Sequence, residues 1–176
     1  MSAKTVAICR YGAGNVRSVE LAFTRLGAEL IDDVEAADLA VLPGVGAART
    51  AMKGLRDRGL VEVLRARTKP TLGICLGLQL ALEESEEDGG VRGLGLVPGR
   101  AVRIEAERVP RIGWAYVDDV AYWFAHSYAA ESPAVTATSE GIAAIVEHGA
   151  FTGVQFHPEK SGPAGQRFLE QCLSRA

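Results

Sequence analysis

Apolar residues recur along the chain in short runs separated by stretches of helical spacing. Thr5 to Cys9 (TVAIC) is a compact run rich in β-branched residues and predicts a buried first strand. The glycine-rich YGAGN that follows predicts a turn. From Val16 to Leu26 the apolar residues Val16, Val19, Leu21, Ala22, Phe23 and Leu26 mix helical spacings, with Gly27 as a stop. Leu39 to Leu42 predicts a second buried strand ending in the loop LPGVG. Thr50 to Arg67 predicts helix interrupted at Gly59. TLGIC predicts the next strand, and LGLQLALEES its helical continuation. Strand–helix alternation of this kind implies a parallel sheet covered on both faces.

The second half has a different rhythm. AVRI, IGWAYV, AYWFAHSY, AVTAT, IAAIVE and FTGVQF are short strand-like runs with turns between them, which predicts partly antiparallel pairing. A helix from about Gly165 to Leu173 is expected last. No repeat, low-complexity tract or linker interrupts the 176 residues, so a single domain, 1–176, is expected.

Composition narrows the function classes. Apolar residues at 48% and charged residues at 23% suit a globular chain. A formal net charge of -3 provides no basic footprint, so no nucleic-acid partner is expected. No apolar run is long enough to span a bilayer, and MSAKTVAICRYG lacks a signal peptide's longer apolar core. A cytoplasmic protein without a membrane partner is expected. The 3 cysteines, Cys9, Cys75 and Cys172, are odd in number and widely spaced, which speaks against a disulfide framework. With only 3 histidines, a zinc cluster is not expected.

Candidate chemistry centres on Cys75, where a buried strand meets a helix. Ligands bind at the carboxyl ends of strands in open α/β sheets. A sharp strand–turn–helix exposes the side chain, and a helix N-terminus favours a thiolate. Gly73 and Gly77 are then positions where a Cβ would crowd neighbouring backbone, as in a nucleophile elbow. Standing alone, a cysteine in an apolar run is more often a buried small hydrophobe, and Cys9 and Cys172 are read that way. A nucleophile needs a base and something to orient it. GVQFHPEKSG offers His157 at a strand end, a turn fixed by Pro158, and Glu159 two residues on. His148 has no such setting and is taken as a surface residue. Acyl chemistry also needs oxyanion donors, which the glycine-rich loop after Leu42 can supply from its backbone.

The order LPGVG, GICLGLQ, HPE resembles the class I glutamine amidotransferases. The wider series YGAGNVRSV, LPGVGAARTAM, GICLGLQL, SEE, GLGLVPG, VPRIGW, HSY and GVQFHPEKSG is similar to the subfamily of glutaminase subunits of imidazole glycerol phosphate synthases. The resemblance implies a three-layer α/β/α flavodoxin-like fold, with a mostly parallel central sheet and a smaller antiparallel part. It implies hydrolysis of glutamine in histidine biosynthesis. Cys75 would form a γ-glutamyl thioester, His157 would move the proton, and Glu159 would orient His157. Backbone groups of Gly44, Val45, Gly46 and Leu76 would hold the oxyanion. Gln79, Glu87, Ser127 and Tyr128 would hold the amino-acid end of glutamine. Ammonia would pass to a cyclase (β/α)8-barrel subunit, the heterodimer partner, which makes imidazole glycerol phosphate and aminoimidazole carboxamide ribotide. Asn15, Arg17, Trp114 and Lys160 would face that partner, although Trp114 reads equally as a core aromatic. No cofactor and no metal is implied.

The chain departs from the family pattern in places. The segment between Trp114 and His126 is short, where the family has a longer strand–loop excursion. Arg111 and Ala115 replace residues near the partner surface, and Arg10 stands where the family has an acidic residue before the tyrosine of YGxGN. The alternatives are a glutaminase serving another synthase, and a catalytically silent flavodoxin-like binding protein. The RYGAGN loop, which has no Ser or Thr, and the intact GICLGLQ and HPE motifs argue against the second.

Overall fold

The computed structural model describes residues 3–12 and 15–176. Ala13 and Gly14 of the expected YGAGN turn lie outside the described residues. In chain order the elements are β1 (Thr5–Ile8), α1 (Val16–Arg25), β2 (Glu29–Leu30), β3 (Leu39–Leu42), α2 (Ala48–Asp57), α3 (Leu60–Ala66), β4 (Thr71–Ile74) and α4 (Leu76–Ala81). The small strands β5 (Glu84–Ser85) and β6 (Val91–Arg92) follow, then β7 (Arg100–Arg103), β8 (Arg111–Val117), β9 (Val120–His126) and β10 (Tyr128–Glu131). The chain closes with β11 (Val135–Ser139), β12 (Ile142–His148), β13 (Phe151–Val154) and α5 (Gly162–Arg175). Among the described residues no helix is long and apolar enough to cross a membrane.

The central sheet has the order β11-β12-β13-β4-β3-β1-β2. Pairing is parallel from β13 through β4, β3 and β1 to β2, and antiparallel at the β11-β12-β13 edge. Period-two alternation sends Val6, Ile8, Leu39 and Val41 to one face, where they pack with Val19, Phe23 and Leu169 of α1 and α5. Ala7, Ala40 and Leu42 face the other way, against Ala51, Met52 and Leu55 of α2 and Leu78 of α4. The result is the expected α/β/α arrangement with a mostly parallel sheet. A second sheet, β10-β7-β5-β6, and the hairpin β8-β9 form the smaller part.

Two boundary expectations are corrected. LGLQLALEES is not helical throughout: α4 ends at Ala81, and Glu84–Ser85 is a strand paired with β6 and β7. The helix stops because the loop that follows it takes its terminal carbonyls. Leu94 N–H donates to Leu80, Leu96 and Val97 to Ala81, and Gly95 to Leu82. The last helix is longer than expected at both ends, starting at Gly162 and running to Arg175. Gly59, with φ 68, separates α2 from α3 as the sequence predicts. The shortened segment after Trp114 is a tight hairpin: β8 and β9 pair from Arg111↔His126 to Val117↔Val120, with Asp118 at φ 50 in the turn.

Candidate active site

Cys75 follows β4 directly and precedes the first turn of α4. Its backbone has φ 51 and ψ -106, a conformation that non-glycine residues rarely hold. One long-range hydrogen bond helps hold it. Cys75 N–H donates to Val154 C=O of β13 at 2.7 Å, which continues the parallel pairing one residue past the strand. The neighbouring glycines then allow the helix to start against the sheet. A Cβ on Gly77 would lie 2.0 Å from the Leu42 carbonyl oxygen, and one on Gly73 would lie 2.9 Å from the Gly77 carbonyl. Both positions are closed to any side chain, as the elbow requires.

His157 and Glu159 lie on the chain that leaves β13. His157 is extended, and its N–H donates to Trp123 C=O of β9 at 2.8 Å. Pro158 opens a 3-10 turn, Pro158–Lys160, that folds Glu159 back beneath the ring. Glu159 Oε1 lies 2.8 Å from His157 Nδ1, so Nδ1 carries a proton and Nε2 faces away from the carboxylate. His157 Nε2 is buried and has no hydrogen-bond partner. Burial pulls the imidazolium down, but the Cys75 sulfur and the Glu159 carboxylate outweigh it and raise the His157 pKa to about 9. The Cys75 thiol donates to Ala125 C=O at 3.7 Å and accepts from Gln155 Nε2 at 3.4 Å.

A cavity of about 200 Å³ opens beside the thiol. It is lined by Val45, Gly46, Cys75, Leu76, Gln79 and Glu87 on one side, and by Ala125, His126, Ser127 and Tyr128 on the other. Leu76 N–H, at the first position of α4, has no acceptor within the helix. Gly44 packs under the loop, where a Cβ would meet Leu76 Cβ at 2.6 Å, and Gly46 holds φ 123. Glu87 lines the cavity but is also tied down: its Oε2 accepts from Ala48 N–H at 3.0 Å, capping α2. Burial raises the Glu87 pKa despite that bond. Ser127 C=O accepts from Ile104 N–H, and Tyr128 C=O accepts from Gln79 Nε2 at 2.9 Å.

The expected interface residues all lie at the surface. Trp114 is 58% exposed, which settles its placement against the core alternative. Asn15, Arg17 and Lys160 are exposed, and Asn15 caps α1 by accepting from Ser18 N–H. Ile112 and Tyr116 stand on the same face of β8 as Trp114 and are likewise exposed. Cys9 is buried, with its pKa pushed up to about 12 by desolvation, and Cys172 lies on α5. His148 is exposed.

Four residues have roles that were not read from the sequence. Tyr11 is buried and its hydroxyl donates to Pro43 C=O, anchoring the loop after β3. Arg111 donates to Ser139 Oγ and Glu140 Oε2, both at 2.8 Å, and its guanidinium lies 4.4 Å over Phe124. His126 ends β9, where desolvation chiefly lowers its pKa to about 4. Gln155 is fully buried beside the thiol. It had a legible signal: in Val154-Gln155-Phe156-His157 the polar positions alternate, so 155 and 157 share one side of the extended chain.

Comparison with known proteins identifies the family. The family model for class-I glutamine amidotransferase matches residues 5–176. The chain is 42% identical over 181 residues to imidazole glycerol phosphate synthase subunit HisH of Exiguobacterium sibiricum, covering 94% of this chain and 93% of that protein. It is also 42% identical over 194 residues to the HisH subunit of Methanothermobacter thermautotrophicus, covering 96% and 97%. A crystal structure of a glutamine amidotransferase shares the fold at a TM-score of 0.78 and 20% identity, covering 96% of this chain and 98% of that one. A glutamine amidotransferase from Thermotoga maritima shares it at 0.62 and 21%, covering 97% and 82%. On sequence and fold together, the chain belongs to the class-I glutamine amidotransferase family, among relatives named as the HisH subunit of imidazole glycerol phosphate synthase.

Proposed function

We propose that this chain is the glutaminase subunit of an imidazole glycerol phosphate synthase and works in histidine biosynthesis. The observation that carries the chemistry is the convergence of Cys75, at a strained strand–helix junction, with a buried His157 that feels its sulfur and is oriented by Glu159. Glutamine enters the cavity with its side-chain amide toward the sulfur. His157 Nε2, the ring nitrogen that has no other partner, takes the Cys75 proton before attack, giving the thiolate–imidazolium pair that the raised His157 pKa favours, and the thiolate Sγ adds to the amide carbon. Backbone N–H groups of the Gly44–Gly46 loop and of Leu76 receive the oxyanion. The tetrahedral species collapses, the C–N bond breaks, and ammonia leaves with the proton from His157. Water adds to the γ-glutamyl thioester, again through His157, and releases glutamate and the thiol. Gln79, Glu87, Ser127 and Tyr128 line the cavity where the α-amino and α-carboxylate groups of glutamine are held.

The strip Ile112, Trp114 and Tyr116 is the anchor for a cyclase barrel, with Asn15, Arg17 and Lys160 as its polar surroundings. Ammonia released at Cys75 passes across that contact. The Pro43–Gly46 loop, pinned at its start by Tyr11 and able to turn at Gly46, is the element through which the partner switches glutamine hydrolysis on. Glutamate release by the purified chain, measured with and without the cognate cyclase, tests the assignment. Release that rises when the cyclase is added is expected. Full activity of the chain alone would overturn the switch, and no release in either case would overturn the glutaminase function.

A further inference from the structure

The hydrogen bonds behind the sulfur have a fixed direction. Tyr128 C=O can only accept, so the Gln79 group 2.9 Å from it is the Nε2 amide. The same Nε2 lies 3.2 Å from the Gln155 carboxamide, and its second proton goes there, so that atom of Gln155 is Oε1. Gln155 Nε2 is then the end that faces Cys75 Sγ, at 3.4 Å. The main-chain carbonyl of Tyr128 thus dictates, through two buried amides, that the sulfur meets an N–H and not an oxygen. His126 Nδ1, 2.9 Å from the same carbonyl, is the second donor to it. Both glutamines are buried, Gln155 at 0% and Gln79 at 5% exposure, so water does not compete for these bonds.

We propose that Gln155 is a further catalytic residue, a donor that stabilises the Cys75 thiolate, and that Gln79 is the positioning residue that holds it in the donating orientation. This rests on the glutaminase assignment only for its consequence in turnover, since the bond to sulfur is a property of the resting site. A donor toward sulfur favours the anion, as the neutral thiol gains less from it than the thiolate does. Gln155 sits two residues before His157 on the same extended segment, so one backbone presents the donor and the base to one atom. It also explains why the pair is amide and not carboxylate: a carboxylate at 155 would repel the thiolate that Glu159 and His157 serve to form.

The test is the pH dependence of iodoacetamide alkylation, followed at the Cys75 peptide by mass spectrometry, in the full chain. Gln155→Met keeps the volume and removes the donor. Its alkylation midpoint is expected about one pH unit above wild type, roughly a tenfold lower thiolate fraction at neutral pH. Rates at high pH converge with wild type, whereas a misfolded site would lower the plateau instead of moving the midpoint. Gln79→Met shifts the midpoint in the same direction without touching the sulfur, and the double variant moves it no further than Gln155→Met alone. A Gln155→Met profile that superposes on wild type overturns the donor role. Additive shifts in the double variant overturn the action of Gln79 through Gln155. If Gln155→Met fails to fold, Gln79→Met alone decides: no shift overturns the proposal. Failure of the glutaminase assignment would show separately, as glutamate release that persists in Cys75→Ser, because alkylation needs no turnover.

Discussion

The elbow around Cys75 and the hairpin β8-β9 both border the cavity, and they are built on opposite rules. At the elbow every neighbour is within contact distance: Gly73 and Gly77 admit no Cβ, and Cys75 holds a left-handed backbone. On the hairpin the outer face of β8 is bare, with Ile112, Trp114 and Tyr116 all exposed while Val117 and Phe124 are buried. Each region also carries one buried histidine. His157, beside Glu159 and the sulfur, is raised to about 9, and His126, paired across the hairpin with Arg111, is lowered to about 4. The elbow favours a charged ring and the hairpin a neutral one. The difference fits the proposed division between bond-making inside one chain and docking on an unfinished surface.

The largest effect is expected at the base. His157→Asn is expected to lower glutamate release, with the cyclase present, roughly a thousandfold, as removal of a general base does. Steady-state kinetics checks it. Gly77→Ala attacks the elbow's packing instead, and is expected to destabilise the chain by roughly 3 kcal/mol because the new methyl meets the Leu42 carbonyl at 2.0 Å. Denaturant unfolding would show it as a lowered midpoint. A truncation on the hairpin has the opposite profile. Trp114→Ala leaves unfolding of the isolated chain within about 0.5 kcal/mol. It weakens cyclase docking by about 2 kcal/mol, read by titration calorimetry.

The two histidines sharpen the contrast through pH. The His157 stabilisation is complete below its ordinary pKa of 6.5 and is lost as pH rises toward 9. His126 runs the other way: the unfolded chain takes up a proton near 6.5 that the folded chain refuses until about 4, so stability falls as pH drops through that window. Thermal unfolding of His157→Asn is therefore expected to lose pH dependence on the alkaline side relative to wild type. The corresponding His126→Asn curve flattens on the acid side. A His157→Asn curve parallel to wild type from 6.5 to 9 would contradict the charged-ring account.

The elbow was legible in the sequence because its determinants are local or nearly so. Strand TLGIC, the two glycines and the His-Pro-Glu turn each lie within a few residues, and their spacing is what the chemistry needs. The end of α4 was not legible, since it is set by N–H groups of Leu94 to Val97 that reach back to Leu80–Leu82 across the chain. Tyr11 reaches Pro43, and Arg111 reaches Ser139 and Glu140, over about twice that sequence distance. No periodicity encodes such pairs. Arg111 is instructive: as a departure from the family pattern it reads as a loss at the partner surface, yet the fold uses it to tie β8 to the β11-β12 turn. Gln155 was half legible, by alternation with His157, but its direction toward sulfur depends on the Tyr128 carbonyl far along the chain.

Everything proposed for this chain rests on Cys75 as the nucleophile of a glutaminase whose ammonia is handed to a docked partner. The most direct measurement compares two reactions of the Cys75→Ser chain complexed with its cyclase: glutamate release from glutamine, and cyclase product formation from added ammonium. Abolished glutamate release with ammonium-supported product formation at the wild-type rate is the predicted result. Glutamate release at the wild-type rate in that variant would contradict the account.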